Sequence, residues 1–376
     1  MKQCKYDKYC GGCKYLDQDY DTQLRRKSNQ ITQLMHNNGI NVDNVVVNGM
    51  HYPYGYRNKV HLAFKVHKGK TIIGFFEEGS SRVVDIDGCL LNGAWLSKLI
   101  DILREYVRRY KISIYDPITR VGILRYAVAR CLDNDIQLTL VTTTTNFAGR
   151  EYLYAKLTQA FGKVSLYLNI NKRTDKLVFD DKGFQLINGD RYLNSTLLGV
   201  KFCLTPNSFL QVNRDVCKAM FRTAIEWLSP EPTDNILDLY SGIGITSVLL
   251  AKQCNKVDSI EYNASATSMA QVIMRLNNVN NVTIYTGDCA STIAKLNVLQ
   301  YTKVFLDPAR AGAEPETLDA IINANIKRIV YMSCNPDTLA ADLKHLIPYY
   351  NITQIQAWDM FPFTEHIETL VLCDRK

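Results

Sequence analysis

Past residue 200 the chain alternates short apolar runs with longer mixed stretches. The runs fall at residues 236–240, 257–261, 282–285, 304–307, 328–333, 352–358 and 367–373. Their length and their Ile, Val, Leu and aromatic content predict strands buried on both faces. The intervals among the first five are long enough for helices, which predicts a mostly parallel sheet with helices on both sides. The last two runs are close together, separated by residues 359–364, and predict an antiparallel pair.

The front half has a different pattern. A helix is expected over residues 20–37, ended by Asn38-Gly39, and another over 94–110, with Leu96, Leu99, Ile100 and Leu103 at helical spacing and Arg104, Arg108 and Arg109 among its polar positions. Runs at 60–66, 71–76 and 137–142 are rich in β-formers. No repeat or low-complexity segment interrupts either half. The change of pattern predicts two domains, a β-rich α+β domain over 1–200 and an α/β domain over 201–376.

Charge sharpens this division. Residues 1–200 carry 29 Lys+Arg against 19 Asp+Glu, and residues 201–376 carry 15 against 18. A basic front half beside a mildly acidic back half suits a polyanion-binding module joined to a catalytic one. Uneven surface lysines are the plainer reading. No apolar stretch reaches the roughly 18 residues of a membrane span. The polar start, Met1-Lys2-Gln3-Cys4-Lys5, lacks a signal-peptide core. Eleven cysteines, an odd number with several in apolar segments, fit a reducing cytoplasm.

Candidate chemistry gathers at predicted strand ends, where open α/β sheets build their sites. Asp238-Leu239-Tyr240-Ser241-Gly242-Ile243-Gly244 is a strand running into a glycine turn. Gly242 and Gly244 let the backbone approach a ligand, although Ser247 stands where a dinucleotide fingerprint has a third glycine. Glu261 ends the next strand, where a carboxylate can accept ribose hydroxyls, and Asp288 follows the third, within reach of an adenine amino group. This set suits S-adenosylmethionine better than NAD. A glycine cap with solvated acids is the alternative. The fourth strand ends in Asp307-Pro308-Ala309-Arg310, and Arg310 replaces the aromatic residue that amino-group methyltransferases use to stack a base.

Ser333-Cys334-Asn335-Pro336 puts a thiol at the end of the fifth strand, and Glu368 opens the otherwise apolar last one. A thiol, a base and a methyl donor in one cleft are what methylation of uracil carbon-5 requires. That carbon becomes nucleophilic only after a thiolate adds at carbon-6, and a base must then remove the carbon-5 proton. A buried structural cysteine and a solvated acid are the bland readings. Near the start, Cys4, Cys10 and Cys13 lie within ten residues and Cys89 offers a fourth thiol, a set that suits structural zinc or a 4Fe–4S cluster. Tyr54-Gly55-Tyr56-Arg57-Asn58-Lys59, with Arg120, Arg125 and Arg130, is a candidate RNA contact, or solvated charge.

Together these segments, with Asn207-Ser208-Phe209-Leu210-Gln211-Val212-Asn213 and His366-Ile367-Glu368, resemble the RNA uracil-C5 methyltransferases that make 5-methyluridine in tRNA and 23S rRNA. The resemblance spans nearly the whole chain. It implies a class I Rossmann-like methyltransferase domain with a seven-stranded sheet, behind a β-rich domain that binds RNA and an iron–sulfur cluster. It implies Cys334 as nucleophile and Glu368 as base. Gln211, Tyr240, Glu261 and Asp307 are implied at the methyl-donor and uracil site, and Cys4, Cys10, Cys13 and Cys89 as 4Fe–4S ligands. Larger 23S rRNA members begin with a small β-barrel domain, whereas this sequence begins at the cysteines. That combination looks most like the branch methylating uridine 747 of 23S rRNA. Ala309 departs from the second proline common in the family's loop. The expected partner is RNA, 23S rRNA first and tRNA as the alternative, with no DNA or membrane partner and a monomeric state. A noncatalytic RNA-binding iron–sulfur protein and a small-molecule methyltransferase are the competing classes.

Overall fold

The computed structural model describes residues 2–175 and 177–376. The chain forms two compact units, and they do not part at a single point near residue 200. One comprises Met1–Asp17, Tyr52–Ser195 and Leu204–Asn207; the other comprises Gln18–His51, Thr196–Cys203 and Ser208–Lys376. The expected boundary is corrected in one important respect: the first helix, Tyr20–Asn37, belongs to the second unit. Local pattern marks a helix but not the sheet it packs on, and here the partner lies more than two hundred residues away.

The first unit is built on a seven-stranded sheet in the order Val83–Asp85, Lys70–Phe76, Lys59–His67, Leu124–Leu132, Asp135–Thr142, Val164–Ile170, Phe184–Gly189. All neighbours are antiparallel except Asp135–Thr142 and Val164–Ile170, which run parallel, joined through helix Arg150–Ala160. One sheet face is apolar. Leu62, Leu138, Leu140, Leu166 and Leu168 pack with Leu96, Leu99, Ile100 and Leu103 of helix Ala94–Arg109. The other strand face carries Gln137, Thr139, Ser165 and Asn169, all buried. Gln137 donates to the Leu204 carbonyl at 3.0 Å, and Asn169 donates to the Asp180 carbonyl at 2.7 Å.

The second unit holds an eight-stranded mixed sheet, ordered Val47–Asn48, Tyr350–Trp358, Glu368–Arg375, Arg328–Ser333, Lys303–Leu306, Asn235–Leu239, Lys256–Glu261, Val282–Thr286. The five strands from Arg328–Ser333 to Val282–Thr286 are parallel, and Glu368–Arg375 is antiparallel to both its neighbours. The expected seven strands are therefore joined by an eighth. It is the two-residue edge Val47–Asn48, too short to leave a pattern in the sequence.

This edge strand and the first helix complete the core. Ile31, Met35, Ile40, Val45 and Val47 are packed in one cluster with Leu237, Leu306, Ile329 and Val371. Gln23, Lys27, Ile31 and Met35 form the helix's buried stripe at four-residue spacing. Each such apolar side chain contributes roughly 1.5–3 kcal/mol when fully removed from water. Five of them match the whole stability of a typical domain, about 5–15 kcal/mol. A fragment comprising residues 201–376 alone is therefore expected to lack a cooperative thermal transition, measured by circular dichroism. The same fragment co-expressed with residues 18–51 should regain it.

Candidate active site

The parallel strands bring their carboxyl ends to one edge of the sheet. There stand Tyr240 after Asn235–Leu239, Glu261 at the end of Lys256–Glu261, Asp288 just past Val282–Thr286, Asp307 after Lys303–Leu306 and Cys334 after Arg328–Ser333. The strand Glu368–Arg375 runs the opposite way, so its first residue arrives at the same edge. Ser333 pairs with Thr369, the last rung of this ladder, so Cys334 and Glu368, each the next residue out, emerge at the same end of the strand pair, and the Glu368 charge acts on the Cys334 thiol. Two residues 34 apart in sequence reach one end of the sheet because one strand is reversed.

The cysteine loop is held by local bonds. Asn335 is extended (φ −138°, ψ 103°), as expected of a residue before proline, and caps helix Pro336–Leu346 by accepting from the Asp337 N–H. Its side-chain amide also donates to the Arg310 carbonyl at 2.9 Å, tying this loop to the Asp307-Pro308-Ala309-Arg310 turn. The Arg310 guanidinium lies 2.7 Å from Nδ1 of His366. Cys334 itself is half-buried.

The acids here are strained by burial. Glu368 is 2% exposed, and its Oε2 has no hydrogen-bond partner. Burial pushes its carboxyl up to about 8 against the opposing pull of Arg310. Asp307 is held well above the usual carboxylate range by burial, then by the charges of Glu368 and Asp238. Burial, followed by Glu368 and Asp307, pushes the Cys334 thiol up to about 11, and Arg310 works the other way. The buried Cys217 thiol is also raised, by burial and then by Asp307 and Glu368. A protonated carboxyl and a protonated thiol are the resting states that low polarity favours.

The glycine turn has room for a ligand. Gly242 has φ +55°, and no atom lies within 4 Å of where a Cβ would sit, so its requirement is backbone conformation rather than steric exclusion. Gly244 (φ +79°) is a packing glycine as well, because a Cβ would approach Met274 Cε to 2.7 Å. Glu261 clamps the turn. Its Oε2 accepts from the Gly242 N–H at 2.9 Å and its Oε1 from the Asn263 N–H at 2.7 Å. Each oxygen keeps a lone pair for a further donor such as a ribose hydroxyl. Asp288 accepts from the Ser291 N–H at 2.8 Å as a helix cap. Tyr240 has φ +59° and donates to Glu314. Gln211 lies in the segment between strand Val200–Leu204 and helix Arg214–Leu228. The open turn and the carboxylate beyond it fit S-adenosylmethionine.

Three residues of these motifs take part in ways their spacing does not assign. Asp238 is fully buried, is pushed up to about 6 by burial, and accepts from Thr246 at 2.8 Å and from Ser247. Ser247 thus replaces the third glycine because its hydroxyl serves this acid. His366 and the positive role of Arg310 were also missed; their signal was a cation and an imidazole each two or three residues from a strand-end acid.

The four N-terminal cysteines lie in the first unit. They do not form a gathered ligand set: among the described residues no group of three or more His, Cys, Asp or Glu is placed to hold a metal ion. They do sense one another. Burial raises Cys10, Cys13 (to about 12) and Cys89, with smaller contributions from the neighbouring thiols and an opposing one from Arg57. The expected basic contact needs correction too. Arg125 and Arg130 are buried; Arg125 donates to the Asn171 and Arg173 carbonyls at 2.9 and 2.8 Å. Arg120 alone of the three is exposed.

The sequence matches the tRNA (Uracil-5-)-methyltransferase family over residues 19–376. The chain belongs to that family. It is 32% identical to an uncharacterized RNA methyltransferase of Halalkalibacterium halodurans over 99% of this chain and 83% of the relative. It is 33% identical to another from Clostridium tetani, over 96% and 80%. Among solved structures it is similar to the Pyrococcus abyssi tRNA (uracil-54, C5)-methyltransferase in complex with S-adenosyl-L-homocysteine, with a TM-score of 0.81 and 28% identity, covering 97% of this chain and 86% of that one. The fold is the α/β methyltransferase fold of S-adenosylmethionine-dependent RNA methyltransferases, and no described helix is long and apolar enough to cross a membrane.

The electrostatics give a direct test in the family member at hand. The ionised Glu368 side chain raises the Cys334 thiol, so replacing it must lower that thiol's pKa. At pH 9, below the raised pKa of the thiol, Glu368→Gln is expected to speed iodoacetamide alkylation of Cys334, because removing the like charge favours the thiolate. Peptide mass spectrometry quantifies the modified Cys334.

Proposed function

We propose that this protein transfers a methyl group from S-adenosylmethionine to carbon-5 of a uridine in RNA. The observation that carries the reading is that Cys334 and Glu368 both lie just past the Ser333–Thr369 rung, at the same sheet edge as the open glycine turn, in a chain of this family. The donor, when bound, supplies an electrophilic methyl carbon. Cys334 loses its proton to solvent and its sulfur adds to uracil carbon-6, moving the carbon-5–carbon-6 π electrons towards carbon-5 and the neighbouring carbonyl. Carbon-5 would then take the methyl group as the donor's sulfonium–methyl bond breaks, leaving S-adenosylhomocysteine. The Glu368 carboxylate takes the carbon-5 proton; that electron pair restores the double bond and expels the Cys334 thiolate. Gln211, Tyr240, Gly242, Gly244, Glu261, Asp288 and Asp307 are proposed to line the donor and uracil positions. Arg310 stabilises the negative charge that develops on Cys334 and Glu368, because its guanidinium lowers the pKa of both.

The proposed target is 23S rRNA, of the uridine 747 type. The four-cysteine set and the basic first 200 residues support it. A tRNA target is the second reading, favoured by the similarity to the Pyrococcus abyssi enzyme. Mapping 5-methyluridine in ribosomal and transfer RNA of cells with and without the gene separates the two.

RNA carrying 5-fluorouridine has no removable proton at carbon-5 and should trap the covalent stage. The parent protein is expected to give a gel-shifted, methylated adduct and Cys334→Ala none; equal adduct from both would refute the role of Cys334. With natural RNA, turnover should rise as pH increases through about 8, because Glu368 must be ionised to accept a proton.

Cys4, Cys10, Cys13 and Cys89 are proposed to hold a 4Fe–4S cluster. Four thiols are the right donor chemistry for such a cluster. Protein purified without oxygen should contain about four iron and four sulfide per chain, a cluster stoichiometry absent from Cys13→Ser. Stoichiometric zinc in the parent would overturn the assignment.

A further inference from the structure

We propose that Lys27 and Gln23, on the first helix, are positioning residues for Glu368. The proposal rests on the reading of Glu368 as the base and extends it to residues some 340 positions away. Glu368 follows directly on the loop that leaves strand Tyr350–Trp358, so the loop's conformation sets where the carboxylate enters the site. That loop has little regular structure of its own. It includes Phe363 at φ +67°, a conformation that a bulky side chain adopts only when its surroundings impose it.

The first helix imposes it. The Lys27 ammonium is buried and donates to Asp359 Oδ1 at 2.7 Å and to the His366 carbonyl at 2.8 Å, with the Phe361 carbonyl at 3.5 Å. One cation thus ties the first residue of the loop to the residue two before Glu368. Gln23, one turn earlier and equally buried, accepts the Phe363 N–H at 3.2 Å. The Tyr20 ring packs near Phe363, with centroids 6.0 Å apart. From another element, the Asn213 amide donates to the Met360 carbonyl at 3.1 Å.

A buried ion pair is a poor device for stability alone, since apolar replacements of the same shape serve as well. It is a good device for fixing geometry, because a buried ammonium must keep every acceptor in place or lose its solvation substitute. The bond to the His366 carbonyl also sets the peptide that carries the imidazole beside Arg310.

The test separates positioning from folding. Lys27→Met with Asp359→Leu removes the pair without leaving a lone buried charge, and Gln23→Met removes the Phe363 acceptor, together with the Gln23 amide's bond to the Gln18 carbonyl, at near-constant volume. Helix content and S-adenosylhomocysteine affinity report the fold. Both variants are expected to form the covalent adduct on 5-fluorouridine RNA at a rate within about twofold of the parent. On natural RNA, release should slow, by about thirtyfold for the pair and less for Gln23→Met, as expected of a base displaced by a fraction of an ångström. Adduct should then accumulate, and substrate deuterated at carbon-5 should show an isotope effect on turnover that the parent lacks. Unchanged release, or adduct formation and release slowed equally, would overturn the proposal. If the pair variant does not fold, Gln23→Met decides the matter by the same readouts. Glu368→Gln, run in parallel, keeps the outcomes distinct: normal release in that variant removes the base assignment itself, whereas slow release there with normal release in both helix variants removes only the positioning role.

Discussion

The arrangement depends on placing carboxylates in a setting that resists their charge. Asp238 and Glu368 stand on strands of one sheet and Asp307 just past the end of another, and their pKa values are raised chiefly by burial, with mutual repulsion adding to it for Asp307. Low polarity is costly to a charged group and is also what makes that group reactive once it ionises, because few competing hydrogen bonds hold it. Arg310 is a cation that acts on both Glu368 and Cys334, and it is tied into the same loops through His366 and Asn335. Thiol and carboxyl are poised as neutral partners, and Arg310 supports whichever of them becomes negative.

The rest of the second unit holds that edge still. Parallel pairing puts five strand ends side by side, and the single antiparallel strand brings Glu368 back to meet them. The glycine turn is closed by Glu261 on one side and by the packing of Gly244 against helix Ala264–Leu276 on the other. The loop before Glu368 has no regular structure, and its support comes from a helix encoded near the start of the chain. Removing one partner of the Lys27–Asp359 pair would leave the other buried and unpaired, at a cost of about 3–5 kcal/mol. The helix is therefore a structural member of the methyltransferase unit.

Much of this was legible. The end of helix Tyr20–Asn37 was legible because Asn38-Gly39 closes it, a signal that is local; in the structure Asp19 caps the other end. The strands past residue 200 were found within a residue or two, because buried strands are continuous apolar runs bounded by turn residues. Other features could not be read. Val47–Asn48 is too short for any pattern. Arg125 and Arg130 resemble surface cations in sequence, yet carbonyl acceptors from a distant loop let Arg125 be buried. Lys27 occupies an apolar stripe position, and only its distant partner explains why a charge is tolerated there.

The sequence by itself determined the alternation of strands and helices, the positions of the thiol and the acids at strand ends, and the family to which they point. All of these are consequences of periodicity and of short-range chemistry along the chain. Only the tertiary structure decided that Cys334 and Glu368 emerge at one end of a strand pair, that the first helix joins the second unit, and that Lys27 holds the loop before Glu368. Those depend on register and on burial among residues hundreds of positions apart, where the cost of an unpaired charge in a dry interior, rather than any local preference, selects the partner.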